Sequence, residues 1–273
     1  MSPGDRQTCD MDPVPSEHVV TAADGSRIAC QLAGSGPALL LLAGQANDHG
    51  WWGPVRRDFE AGHTTITLDC RGTGASDRPR EGYSTRGFAA DAAAVLAGLG
   101  IDRADVYGTS MGGRVAQWLA IEHPDRVARL VLGCTAPGGP HSIDRGRTVR
   151  RGLAQPGEAG REFLLDLMYT PAWRAATPGP YPVVGDPSMP AHARAGHLLA
   201  SHRHDAWDRL PEIGAPTLIV HGTEDLMTPV ANAGLLAARI PDSRVELIEG
   251  ARHAYFHEFR ERAGTIVLDF LAG

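Results

Sequence analysis

Residues 104–113 read Ala-Asp-Val-Tyr-Gly-Thr-Ser-Met-Gly-Gly, a run with few ways to fold. Asp105, Val106 and Tyr107 read as the end of a strand, and a helix-like run extends from Gly113 to Glu122. Between them stands Gly-x-Ser-x-Gly, centred on Ser110. Gly108 and Gly112 lack a Cβ, so the backbone can turn tightly around the serine. Such a turn lifts the serine hydroxyl above the end of a sheet, and the next helix aims its first amides at the same place. The pattern also recurs as a plain glycine-rich turn, so its context has to separate the two readings.

The context is a regular alternation of strands and helices. Val19–Ala22 and Ile28–Leu32 read as strands joined by Asp24-Gly25, a hairpin signal. Pro37–Ala43 carries the leucines Leu39 to Leu42, a short continuous apolar run suited to a strand buried on both faces. Thr64–Cys70 is rich in β-branched residues, and further strands are expected at 104–108, 128–134, 216–221 and 244–249. Helices are expected at Trp51–Phe59, Phe88–Leu99, 113–122, 229–240 and 257–271. Alternation of this kind predicts an α/β fold with a doubly wound, mostly parallel sheet.

One segment breaks the rhythm. From Ala136 to about Asp208 there is no strong strand, Pro and Gly are frequent, and short helical stretches lie at 158–168 and 191–204. The segment is read as an inserted helical cap; the alternative, a structureless loop of that length, is rare in a compact domain. The expected organisation is a flexible start over 1–16, a core of 17–135 and 209–273, and a cap of 136–208.

The composition is that of an ordinary globular chain of 273 residues, 42% hydrophobic and 21% charged. A net charge of −6 without a long basic run argues against nucleic-acid or anionic-membrane partners. No apolar run approaches the roughly 20 residues that span a bilayer. Met1 to Glu17 lacks the apolar core of a secretory signal, so a cytoplasmic protein is expected. Cys9, Cys30, Cys70 and Cys134 have no C-x-x-C spacing and read as thiols, neither disulfides nor a metal site.

Serine is a weak nucleophile unless a base lies within hydrogen-bond reach and a third group orients that base. The stretch after the 216–221 strand is His221-Gly222-Thr223-Glu224-Asp225, and Gly250-Ala251-Arg252-His253 follows the 244–249 strand. The order Ser110, Asp225, His253 suits a strand-turn-helix nucleophile. His257 rivals His253 and Glu224 rivals Asp225, while Asp225 also suits a turn or helix cap.

These residues, with Gly-Thr-Ser-Met-Gly-Gly (108–113) and Asp-Cys-Arg-Gly-Thr-Gly-Ala-Ser-Asp (69–77), carry a resemblance to the α/β-hydrolase superfamily from about residue 17 to the end. The chain most resembles 3-oxoadipate enol-lactonases and non-haem chloroperoxidase-like esterases. The resemblance implies a serine hydrolase that cleaves a small-molecule ester or lactone through an acyl-enzyme. Ser110 is then the nucleophile, His253 the base and Asp225 its orienter. The backbone amides of Gln45 and Met111 are the expected oxyanion hole, and Gly44 and Trp52 the expected substrate contacts; Trp51 and Trp52 equally suit core packing. No metal and no cofactor are implied, and the chain could be a monomer or a homodimer.

Ala43 stands where the superfamily usually has a histidine that supports the oxyanion loop. The segment that in some members carries the acid reads Gly133-Cys134-Thr135-Ala136, with no carboxylate. The turn at 69–76 is assigned to scaffold, and His192, His197, His202 and His204 are expected to be solvated. Arg145, Arg147, Arg150 and Arg151 read as a solvated face or as partners of a substrate carboxylate. Two other readings stay open. One is a carbon–carbon bond hydrolase, whose motif usually has Asn where Thr109 stands; the other is a non-hydrolytic cyclase or ligand receptor.

Overall fold

The computed structural model describes residues 15–273. Cys9 and most of the start expected to be flexible lie outside the described residues, and Ser16 already pairs in the first strand. Strands β1 (Ser16–Thr21), β2 (Arg27–Gly34), β3 (Ala38–Leu42) and β4 (Thr64–Leu68) precede β5 (Ala104–Thr109), β6 (Val127–Gly133), β7 (Thr217–Gly222) and β8 (Ser243–Ile248). They form one eight-stranded sheet in the order β1-β2-β4-β3-β5-β6-β7-β8. β1 and β2 pair antiparallel, β2 meets β4 antiparallel, and the pairs from β4 to β8 are parallel. The hairpin turn passes through Gly25 at φ 88, as Asp24-Gly25 predicts.

The leucines of β3 explain why this sheet is covered twice. Leu40 and Leu42 point into a core with Phe88 and Leu96 of α2 (Thr85–Gly98) and Val115 and Leu119 of α3 (Met111–Glu122). Leu39 and Leu41 point the other way, into a core with Phe59 of α1 (Arg56–Glu60) and Val267 of the C-terminal helix. All four are essentially without exposed surface. Each contributes about 1.5–3 kcal/mol of burial, so a charge at any of them would open one of the two layers.

Between β6 and β7 the chain carries α4 (Arg147–Leu153), α5 (Gly157–Met168), α6 (Pro171–Ala176) and α7 (Ala191–His202), with no strand among the described residues. An isolated bridge between Gly138 and Asp205 joins the two ends of this insertion. After β7 come α8 (Ala231–Ala237), α9 (Tyr255–Glu258) and α10 (Arg260–Ala272). The helix expected over Trp51–Phe59 is broken. A 3-10 turn covers His49–Trp52 and α1 starts only at Arg56: Pro54 has no amide to donate, and Val55 leaves the helical region at φ −124. None of the helices among the described residues is long and apolar enough to cross a membrane.

Candidate active site

Ser110 sits between β5 and α3 at φ 54, ψ −118, a conformation that L-residues rarely adopt. Its neighbours over-determine the turn. The Ser110 amide donates to the Gly133 carbonyl at 2.9 Å, and the Thr135 hydroxyl donates to the Ser110 carbonyl at 2.7 Å. A Cβ on Gly108 would lie 2.3 Å from the Gly112 carbonyl oxygen, and one on Gly112 would lie 2.1 Å from that of Leu42. Both glycines are therefore required by close backbone approach. Among the described residues only Ala46, Ser110 and Cys134 are non-glycine residues at positive φ. All three lie at the carboxyl ends of adjacent strands β3, β5 and β6, and strain concentrated this way is characteristic of functional sites.

Asp225 lies in the turn after β7 and His253 after β8. Both are buried, and His253 Nδ1 lies 2.7 Å from Asp225 Oδ2. Both oxygens of Asp225 are engaged. Oδ1 accepts the amides of Met227 and Thr228 at 2.8 and 2.9 Å, which fixes the carboxylate plane. Oδ2 takes His253 and also lies 3.3 Å from His221 Nε2, whose nearer acceptor is the Thr228 carbonyl at 2.8 Å. Burial alone would raise the Asp225 pKa; the charge of His253 and the hydrogen bonds from His221 and His253 outweigh it and hold this carboxylate well below the usual range. A carboxylate on Nδ1 leaves Nε2 as the nitrogen able to exchange a proton. Among the described residues the Ser110 hydroxyl makes no hydrogen bond to the ring in this conformation, and such contacts are often loose in ligand-free sites.

Cys134 Sγ gathers with Asp225 and His253 within 4.8 Å, a set that includes metal-ligand types. Burial pushes the Cys134 thiol well above its ordinary value, so it is protonated here, and Asp225 and His253 are hydrogen-bonded to one another.

The loop after β3 passes through Gly44 and Gln45. A Cβ on Gly44 would lie 2.7 Å from the Trp51 ring, whose Nε1 donates to Thr109 Oγ1 at 2.9 Å. The amides of Gln45 and Met111 donate to no protein acceptor among the described residues. What holds the loop is the insertion. The Ala46 amide donates to His197 Nδ1 at 3.2 Å, the Asp186 amide to the Ala46 carbonyl at 2.7 Å, and the Gly185 amide to Asn47 Oδ1 at 2.9 Å. His197 Nε2 in turn donates to the Arg71 carbonyl at 2.9 Å, within the scaffold turn. Beside this loop opens a cavity of about 480 Å³, within the range that suits a small ligand. Gln45, Arg114, Ala136, Arg145 and Met227 are among its lining residues.

A family model described as the alpha/beta hydrolase fold matches residues 37–259. The chain belongs to the alpha/beta hydrolase family. It is 31% identical over 279 residues to a non-heme haloperoxidase of Rhodococcus erythropolis, covering 92% of this chain and 98% of that protein. It is 31% identical over 251 residues to a 2-hydroxymuconate semialdehyde hydrolase of Pseudomonas putida, covering 86% and 87%. Among solved structures, a thermophilic esterase from Thermogutta terrifontis superposes with a TM-score of 0.79 at 26% identity, covering 94% of this chain and 98% of that one.

Several residues of this alpha/beta hydrolase lie elsewhere than their sequence suggested. Trp52, expected at the substrate, is fully buried; it packs on Tyr107 and Phe256 at 4.9 and 5.4 Å between ring centroids and does not line the cavity. The aromatic pair that α9 and β5 offer it outweighs any exposed position for so large a ring. His197 and His204 are buried and hydrogen-bonded, not solvated; His204 lies between the Thr85 hydroxyl and Gln117. His257 is bonded to the Tyr169 hydroxyl at 2.9 Å and faces Trp173, while Glu224 is exposed. Neither rival reaches the Asp225–His253 pair. Sequence reasoning missed His221, His197 and Arg114; Arg114 carried a readable signal, an arginine one helical turn after the nucleophile.

Proposed function

We propose that this alpha/beta hydrolase is a serine hydrolase of small-molecule carboxylic esters or lactones. The observation that carries the reading is the 2.7 Å contact between His253 Nδ1 and the buried Asp225 carboxylate, beside a strained Ser110 at a helix N-terminus. In this reading Ser110 Oγ attacks the carbonyl carbon while His253 Nε2 takes its proton. Asp225 holds the tautomer and stabilises the imidazolium. The amides of Gln45 and Met111 face the developing oxyanion, an arrangement that acts most strongly in a site shielded from water. His253 then protonates the leaving oxygen, and water, deprotonated by the same ring, releases the acid from Ser110. Similarity to an esterase favours an ester carbonyl as the electrophile.

The test is labelling with a fluorophosphonate, read by intact mass, for wild type, Ser110→Ala and His253→Ala. One adduct on wild type and none on either variant is expected. A folded wild type that stays unlabelled, or a Ser110→Ala that labels as well, defeats the reading. The similarity to the Pseudomonas putida semialdehyde hydrolase favours a second reading, cleavage of a carbon–carbon bond next to a ketone. A vinylogous 1,5-diketone turned over at least as fast as any ester would put that reading first.

A further inference from the structure

The cavity beside the oxyanion loop is lined by three arginines, Arg114, Arg145 and Arg150, and by one carboxylate, Asp144. That carboxylate is already engaged, with Arg150 at 2.6 Å. Arg114 and Arg145 have no carboxylate within ion-pair distance among the described residues. Arg114 stands one turn beyond Ser110 on α3, its amide bonded to the Ser110 carbonyl at 3.3 Å. One of its terminal nitrogens donates to the Ser201 carbonyl at 2.6 Å, near the C-terminus of α7; its Nε is buried with no hydrogen-bond partner among the described residues. Among the described residues the guanidinium of Arg145 has one hydrogen-bonding neighbour, the thioether of Met227 at 3.3 Å, a weak acceptor.

Two guanidiniums held this way are unfavourable. Desolvation and the charge of Arg145 push Arg114 down to about 10, and burial lowers Arg145 as well. A fold keeps partly desolvated like charges together when something of opposite sign offsets them, and a guanidinium fork is shaped to grip a carboxylate with two parallel bonds. Asp144 and Asp225 offset part of this charge from beyond ion-pair distance, which leaves a place for a carboxylate from outside the chain. Its place is close to the chemistry, since the same cavity is lined by Gln45, whose amide is an oxyanion donor in the proposed reaction, and by Met227, two residues from Asp225.

We propose that Arg114 and Arg145 form a subsite for a carboxylate carried by the substrate, so that the preferred esters or lactones are anionic. This rests on the serine-hydrolase reading for what happens to the substrate, and on the cavity alone for what is bound. The carboxylate is on the acyl side or the alcohol side of the scissile bond, and these two placements are separable by substrate.

The experiment compares kcat/KM for mono-4-nitrophenyl esters of succinate, glutarate, adipate and suberate with neutral 4-nitrophenyl alkanoates of matching length. It also compares 4-carboxyphenyl acetate with phenyl acetate. In at least one series the anionic member is expected to be preferred, and Arg145→Gln is expected to lower that preference roughly 30-fold or more, mainly through KM. Arg145→Lys should recover part of it. Arg147→Gln, exposed and outside the lining, should leave the preference where it was. Arg114 is the poorer variant, because its contact with Ser201 makes it structural as well. A wild type that favours neutral esters in every series, or a preference that Arg145→Gln does not move, overturns the proposal. If no ester is turned over, the catalytic reading has failed, and titration calorimetry of glutarate and adipate decides the subsite. Binding that Arg145→Gln abolishes sustains it, and absence of binding at low ionic strength ends it.

Discussion

The amide of Ala46 donates a hydrogen bond to Nδ1 of His197, a residue 151 positions further along the chain, at 3.2 Å. Ala46 adopts φ 59, so the loop after β3 is strained where the imidazole holds it. Because the other nitrogen, Nε2, donates to the Arg71 carbonyl, His197 is a neutral brace between the scaffold turn and the loop. The support that a histidine at position 43 would lend from inside the core comes here from the insertion.

Loosening that brace should act on the rate more than on binding. His197→Ala is expected to lower kcat roughly 10- to 100-fold, with a smaller change in KM, because the Gln45 amide loses its aim. His197→Asn, which can offer an acceptor to Ala46, should recover part of the rate. Equal losses in kcat and in folded fraction would reduce His197 to a packing residue. Steady-state kinetics beside a thermal melt separates the two.

Ser110→Ala should remove ester turnover by at least about 10³-fold. Ser110→Gly should do the same and also raise the melting temperature. Glycine is at ease at φ 54, so relief of the strain outweighs the added unfolded-state entropy by roughly 1 kcal/mol. A Ser110→Gly variant less stable than Ser110→Ala would mean that the turn is not strained.

Asp225→Asn keeps an acceptor for the Met227 and Thr228 amides, so the turn after β7 should survive. The amide group would instead favour the wrong tautomer of His253. The expected result is a folded protein with kcat lower by about 10⁴-fold. Near wild-type turnover would remove Asp225 from the reaction.

Acid should destabilise the fold in two separate windows. Burial pushes His197 and His257 from 6.5 down to about 4, and burial with the charge of Arg114 lowers His204 well below 6.5. Unfolded, these rings take up protons below about pH 6.5, whereas folded His197 and His257 stay neutral until about pH 4 and folded His204 also stays neutral well below 6.5. The unfolded state therefore binds more protons between those limits, and stability falls as pH drops through them. Asp225 acts lower. Its folded pKa lies below the unfolded value of 3.8, so its contribution is complete above that pH and is lost on further acidification. Melting temperatures from pH 8 to 4 should fall below pH 6.5, less steeply in His197→Asn than in wild type. A flat profile across that range would contradict buried neutral histidines.

The strand-helix alternation was legible because each signal is local. Leu39 to Leu42 announce a strand covered on both faces, Asp24-Gly25 a hairpin, and Gly108 and Gly112 the tight turn at Ser110. Asp225 and His253 could be named from chain order, one after each of the last two strands. Pro54 inside the Trp51–Phe59 run is a local signal of the same kind, since it has no amide to donate to a helix.

What the sequence by itself determined is the set of βα units and the chemical groups at their carboxyl ends, because backbone propensity, glycine freedom and side-chain periodicity act over a few residues. Only the tertiary structure decided that Trp52 belongs to the core, that His197 braces the loop after β3, and that Arg114 and Arg145 face one cavity in which the carboxylate present, Asp144, pairs with Arg150. Those outcomes depend on how the helices of the insertion pack over the sheet. Burial and charge pairing there are set by residues far apart in the chain, whose meeting no local pattern encodes.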